Sequence, residues 1–269
     1  MTRKEGGQGR HLRLFVALAA SMALAGSACA SDPVVTPKSR VAAGSEPVTR
    51  AISATPSSDS HQHKASPVSA NQKLVSLLQS HNALTKPASG SKSLGLVPAH
   101  TPITEERTVL PVLARHRHWL KVRLPGRPNS HVGWVRTTAT KLWSTPWHIA
   151  LDLSRRKVTV YRAATRVRSF KAVVGKPSTP TPTGSFFVEE SLALQPTDPG
   201  APFALALSAR SDVFQEFAGG PGQVAIHGVA NIGGVLGTAV SHGCIRLSSE
   251  AMRWLVYHVK PGVPVTITR

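Results

Sequence analysis

The sequence predicts a mainly β protein with one clear helix. Three observations carry that expectation. Short apolar runs alternate with polar residues at period two, 21 prolines and 21 glycines punctuate the chain, and a helical period recurs only over residues 249–259. At 269 residues the chain has room for one large domain or two small ones once any targeting segment is set aside.

Residues 1–30 read as a signal peptide. Arg3, Lys4, Arg10 and Arg13 give a basic start, and Leu14 to Ala28 form an apolar stretch that is short for a membrane span. Ala28-Cys29-Ala30 fits a small-residue cleavage site. Cys29 also fits the first residue of a lipoprotein, and both outcomes stay open. Residues 31–95 are rich in Ser, Pro, Ala, Thr and Lys and read as a disordered low-complexity linker, with a brief helical turn expected at Leu74–Leu78.

From 96 to 143 short strands alternate with turns: Val109–Leu113, then Trp119–Leu124, then Pro125-Gly126-Arg127-Pro128-Asn129, then Gly133–Arg136. This run resembles a bacterial SH3-like barrel of the kind found beside wall enzymes. The resemblance implies an orienting or anchoring role and no catalytic residue. Trp119 and Trp134 are expected to pack in its core.

Residues 146–269 form the last unit. His148–Leu153 and Lys157–Tyr161 predict a hairpin closed at Ser154-Arg155-Arg156. Strands are expected at 167–174, at 186–189 and at Val224-Ala225-Ile226, the last leading into His227. The helix over 249–259 is capped by Ser248 or Ser249 and carries Glu250 in its first turn. Its apolar stripe is Met252, Leu255, Val256 and Val259, and Pro261-Gly262 stops it. A final strand follows over 263–268.

The formal net charge of +19, with a pI near 11.2, favours polyanionic surroundings: nucleic acid, a membrane surface, or anionic cell-wall polymers. Lys and Arg are scattered and aromatics make up only 5%, which argues against a nucleic-acid partner. Whichever way the signal is processed, Cys244 is left without an intramolecular disulfide partner. An unpaired cysteine in an exported chain is either a reactive thiol or a buried small hydrophobe.

Its neighbours favour chemistry. Ser241-His242-Gly243-Cys244-Ile245-Arg246 follows His227-Gly228 with His227 standing 17 positions before Cys244. A cysteine nucleophile needs a base, a tight backbone and N–H donors for the developing oxyanion. Gly243 permits the sharp turn, and His227 closes a strand that can aim it. Two other readings compete. His227, His242 and Cys244 are acceptable zinc ligands for a zinc-dependent wall hydrolase, although two of them bracket a glycine and no H-E-x-x-H or C-x-x-C is present. A non-catalytic wall-binding protein is the other. The remaining histidines, His148 among them, read as surface or linker residues.

The His…Ser-His-Gly-Cys-Ile-Arg pattern resembles the L,D-transpeptidase (YkuD-type) catalytic family, with Arg at 246 where some members carry Asn. Thr179–Gly184 and Phe217–Gly222 also resemble actinobacterial-type members. The likeness covers about 120 residues. It implies the family's catalytic β-fold of antiparallel sheets, no cofactor and no metal. It assigns Cys244 as nucleophile, His227 as proton acceptor and donor, and the Gly228 carbonyl as the group orienting His227. Ser241, His242, Gly243 and Arg246 fall to substrate binding and the oxyanion hole. The implied substrate is a peptidoglycan stem tetrapeptide, cross-linked 3→3 in the cell envelope with release of D-alanine, and hydrolysed when water resolves the acyl-enzyme. Pairing with His227 predicts a lowered pKa for the Cys244 thiol.

Overall fold

A computed structural model describes residues 68–217 and 220–269. The expected signal peptide, Cys29 included, and the first part of the expected linker lie outside the described residues.

Seven strands form the first sheet: β1 Gln72–Leu77, β2 His81–Leu84, β3 Ser93–Val97, β4 Val109–His116, β5 Trp119–Arg123, β6 Val132–Arg136 and β7 Thr140–Thr145. Their spatial order is β3-β2-β6-β5-β4-β1-β7. The linker expected to run to residue 95 is therefore corrected: β1, β2 and β3 are ordered strands of this sheet. The helical turn expected at Leu74–Leu78 is corrected with it. That run is β1, paired with β4 on one side and β7 on the other. Leu74, Val75 and Leu77 are all fully buried. A strand covered on both faces shows a continuous apolar run, which periodicity cannot separate from a helical turn. Trp119 packs in the interior as expected, with the Arg136 guanidinium 4.5 Å from its ring centre.

The second sheet begins with the predicted hairpin, β8 Trp147–Asp152 and β9 Lys157–Arg162, followed by β10 Thr165–Lys171 and the short β11 Val174–Gly175. Next come β12 Gly184–Ala193, β13 Phe203–Arg210, β14 Gln223–Gly228, β15 Ala239–Ser241, β16 Ile245–Leu247, the helix α1 Ser249–His258, and β17 Pro264–Thr268. Eight strands run β10-β9-β8-β17-β12-β13-β14-β16, and β11 pairs separately with β15. Most ladders are antiparallel, but β8–β17, β14–β16 and β11–β15 are parallel. The helix starts as its sequence dictates. Ser248 is the cap, its hydroxyl accepting from the Ala251 N–H at 3.1 Å, worth about 1 kcal/mol. Met252 and Leu255 are buried in the core made by Ile149, Val160, Leu205, Ile226 and Ile245.

The two sheets share a seam. Phe187 of β12 belongs to the core of the first sheet, beside Val75, Leu110 and Leu120. Gly262, just beyond the helix, lies against Val109 and Leu74, where a Cβ would stand 2.4 Å from a Val109 methyl. Glu190 is fully buried on β12 and accepts from the N–H groups of Ile103 (3.1 Å) and Thr104 (2.7 Å) across the seam.

Candidate active site

Strand register brings the two central side chains together. In the parallel β14–β16 pair, Ile226 faces Ile245 and His227 faces Arg246. Cys244 precedes β16 by one residue. Side chains alternate along a strand, so Ile226, Ile245 and Leu247 point into the core while Ala225, His227, Cys244 and Arg246 share the opposite face. His227 and Cys244 are then diagonal neighbours, with roughly 7–8 Å between backbones. Among the described residues neither side chain hydrogen-bonds the other.

His227 is buried, and its Nδ1 lies 2.8 Å from the Gly228 carbonyl oxygen. A carbonyl only accepts, so Nδ1 carries the hydrogen and Nε2 keeps its lone pair in the neutral ring. Burial pushes the imidazole down to about 4. The Gly228 bond opposes that shift, and the Arg246 charge reinforces it. The ring is wedged from behind as well: a Cβ on Gly200 would stand 2.5 Å from Nδ1.

The expectation of a lowered thiol pKa is corrected. Burial pushes the Cys244 thiol up, and the Ala225 backbone and the Arg246 charge pull the other way without overcoming it. The part-exposed cysteine and the buried histidine are thus both neutral near pH 7. Desolvation disfavours every charged form in the pair.

The turn that presents Cys244 is braced from a neighbouring loop. Gly243 sits at φ +118°, a region L-residues avoid. The Thr181 hydroxyl donates to the Gly243 carbonyl at 2.8 Å, and the Thr179 hydroxyl to that of Ser241 at 3.1 Å. Ser241 is fully buried. Its hydroxyl donates to the Cys244 carbonyl at 2.6 Å and accepts from the Gly243 N–H at 3.2 Å. The expectation that Ser241 meets substrate is therefore corrected to an internal brace. The same bond occupies the Gly243 N–H. Among the described residues no backbone oxygen takes the Cys244 N–H.

Arg246 is buried and donates to the Gly233 carbonyl at 3.2 Å, while its Nε has no protein partner. It acts on both central side chains through its charge. His242 is exposed and stacks on Phe217, with ring centres 6.2 Å apart and planes 29° apart. Phe214 completes a three-ring cluster. These rings, with Ser211 and Val224, line a small cleft that opens onto Cys244.

His227, His242 and Cys244 do not converge as a zinc site would require. Among the described residues, no group of three or more His, Cys, Asp or Glu side chains is placed to hold a metal ion. His148 is not a surface residue, and that reading is corrected. It is buried on β8, on the face opposite the core residues Ile149 and Leu151, with Nε2 3.0 Å from the Thr266 hydroxyl of the neighbouring β17. Sequence reasoning gave no role to Thr181, Phe214 or Gly200. Only the Thr-Pro repeat and the Phe-Ala-Gly-Gly stretch hinted at two of these segments.

The family model for the L,D-transpeptidase catalytic domain (YkuD) matches residues 146–267. The Bacillus subtilis (strain 168) family protein YkuD is 31% identical over 130 residues, 47% of this chain and 69% of that protein. L,D-transpeptidase 1 of Mycobacterium tuberculosis is 25% identical over 203 residues, 62% of this chain and 75% of that protein. Among solved structures, a cysteine-to-serine mutant of an Enterococcus faecium L,D-transpeptidase is 26% identical with a TM-score of 0.34. The match covers 45% of this chain and 49% of that one, so this chain spans about half its length.

Proposed function

Because this chain belongs to the L,D-transpeptidase family, we propose that Cys244 takes an acyl group from a peptidoglycan stem tetrapeptide and passes it to an amine. The sulfur attacks the carbonyl of the third stem residue, and the thiol proton passes to Nε2 of His227. The tetrahedral intermediate collapses to a thioester as His227 returns that proton to the departing amine of D-alanine. An amine of a second stem then attacks the thioester, giving a 3→3 cross-link and restoring the thiol. Water in its place gives carboxypeptidase action. The thioester conserves the energy of the peptide bond, so the exchange needs no nucleotide.

The observation that carries this reading is the shared face of β14 and β16, where a fixed tautomer leaves the basic nitrogen of His227 free two positions from Cys244. The Cys244 N–H is the oxyanion donor, His242 borders the donor peptide, and Arg246 offers charge to the anionic intermediate. The substrate requires an envelope location, with the protein either secreted or lipid-anchored through Cys29, and anionic wall polymers suit its charge.

Intact-mass analysis of the full chain with a synthetic tetrapeptide, or with a carbapenem, tests the proposal. The expected result is an adduct on Cys244 that Cys244→Ala lacks. Tetrapeptide turnover by Cys244→Ala at the wild-type rate overturns it.

A further inference from the structure

The cleft wall over Cys244 carries its own ties, among them the Ser211 N–H to the Gly222 carbonyl at 2.7 Å, and is held from outside as well. It is the connection between β13 and β14, and three of its carbonyl oxygens are bound by one side chain from the other sheet. Arg127 lies in the Pro125-Gly126-Arg127-Pro128-Asn129 loop between β5 and β6. Its Nη2 donates to the carbonyls of Ser211 and Phe214, both at 2.8 Å, and its Nη1 to that of Pro221 at 2.9 Å. These residues bracket the segment that carries Phe214 and Phe217 to the cleft. Inside it, Gly222 is so close to Phe214 that a Cβ would meet the Phe214 carbonyl oxygen at 2.1 Å. Carbonyl oxygens gathered at such range repel unless a cation lies among them, and a planar guanidinium meets several at once where an ammonium cannot hold the same fork.

The same loop grips the segment where it leaves β13. The Asn129 amide oxygen accepts from the Arg210 N–H at 2.8 Å, and its Nδ2 donates to the Arg210 carbonyl at 2.7 Å and to Asp212 Oδ1 at 3.0 Å. Gly126 N–H reaches the Ser208 carbonyl at 3.1 Å. The root and both flanks of the cleft wall are therefore tied to one turn of the first sheet.

We propose that Arg127 is a positioning residue of the active site: its three-carbonyl clamp sets the Phe214–Phe217–His242 wall against which the donor peptide binds. The first sheet is thereby part of the substrate site as well as its support. The inference rests on Cys244 being the acylated nucleophile. Arg127 touches neither the thiol nor the reacting carbonyl, so it acts through substrate affinity.

The test uses the full chain and a synthetic tetrapeptide, with Arg127→Ala, Arg127→Lys and Cys244→Ala beside the wild type. Thermal unfolding is followed in parallel. Arg127→Ala is expected to raise KM by roughly tenfold or more with kcat changed far less. Arg127→Lys should fall between it and the wild type. Free guanidinium at low millimolar concentration should recover part of the KM of the Ala variant and leave the wild type unmoved. The proposal is overturned by a KM within about twofold of wild type, by a loss confined to kcat, or by a loss that guanidinium does not relieve. Wild-type protein without turnover, or an active Cys244→Ala, instead sinks the functional reading and this inference with it.

Discussion

Gly200→Ala offers a test of His227 from outside the catalytic motif. Gly200 sits at φ +88°, where an L-residue costs about 1–2 kcal/mol. The new Cβ would stand 2.5 Å from Nδ1 and 3.0 Å from Cγ of His227. Ordinary van der Waals contact requires the ring to retreat by about 1 Å. Nδ1 is also bonded to Gly228 at 2.8 Å, and a displacement of about 1 Å spoils the geometry of that bond, at about 1 kcal/mol net. The combined cost is about 2–3 kcal/mol of stability, and a base misplaced by about 1 Å loses on the order of a hundredfold in rate. Gly237→Ala is the control: its φ is +96° and nothing lies within 4 Å of a built Cβ, so it carries the backbone strain alone. Acyl-enzyme formation with a carbapenem, followed by intact mass, should slow steeply in Gly200→Ala and stay near wild type in Gly237→Ala. Equal rates in the two variants would show that the wedge behind the imidazole does not position it.

Alkylation of Cys244 by iodoacetamide should climb about tenfold per pH unit through pH 9, since burial holds the thiol up; a plateau near pH 7 would restore the ion-pair description. Thr181→Val strips the donor from the Gly243 carbonyl and the acceptor from the Gly175 N–H. It should cost about 2–3 kcal/mol in urea unfolding and slow acylation, while Thr181→Ser keeps both. His148 is held down to about 4 by burial against an ordinary value of 6.5. As a base with a depressed folded-state value, it stays neutral when folded while the unfolded chain takes up a proton, so stability falls as pH drops from 6.5 towards 4. His148→Gln should remove about 2 kcal/mol of the stability difference between pH 7 and pH 5, and an unchanged difference would mean the site is hydrated.

What was legible in the sequence is what local patterning controls. The β8–β9 hairpin, the capped helix and the strand carrying His227 each advertise themselves over ten residues or fewer, and the spacing of His227 and Cys244 marks them as partners. The features that escaped depend on distant chain. β1 reads as linker in the sequence because its burial comes from β4 and β7, which lie far along the chain. Ser241 looked like a substrate contact because the motif names its residue type and not its burial. The thiol was expected low because pairing is visible in sequence, whereas desolvation is a property of the packed site. Arg127 read only as part of a turn, since nothing nearby announces the carbonyls it binds.

The neutral resting pair has a mechanistic consequence. An imidazole near 4 is a weak base for a thiol held above its ordinary range, so proton transfer in the empty site is uphill. The same imidazole, once protonated, is a strong acid and suits the second half of the step, donation to a departing amine. In the proposed reaction the pair therefore suits expulsion of D-alanine better than thiol activation, which falls to the bound peptide. In the proposed reaction, sulfur attack moves negative charge from the thiol to the carbonyl oxygen, where the Cys244 N–H would stabilise it as it forms. A site of this kind keeps its cysteine unreactive towards small oxidants and alkylating agents until a peptide fills the cleft. That protection matters for a protein that keeps a free thiol. It also fits a cleft wall fixed from the first sheet: when bound substrate supplies the activation, occupancy of the cleft decides whether the thiol reacts.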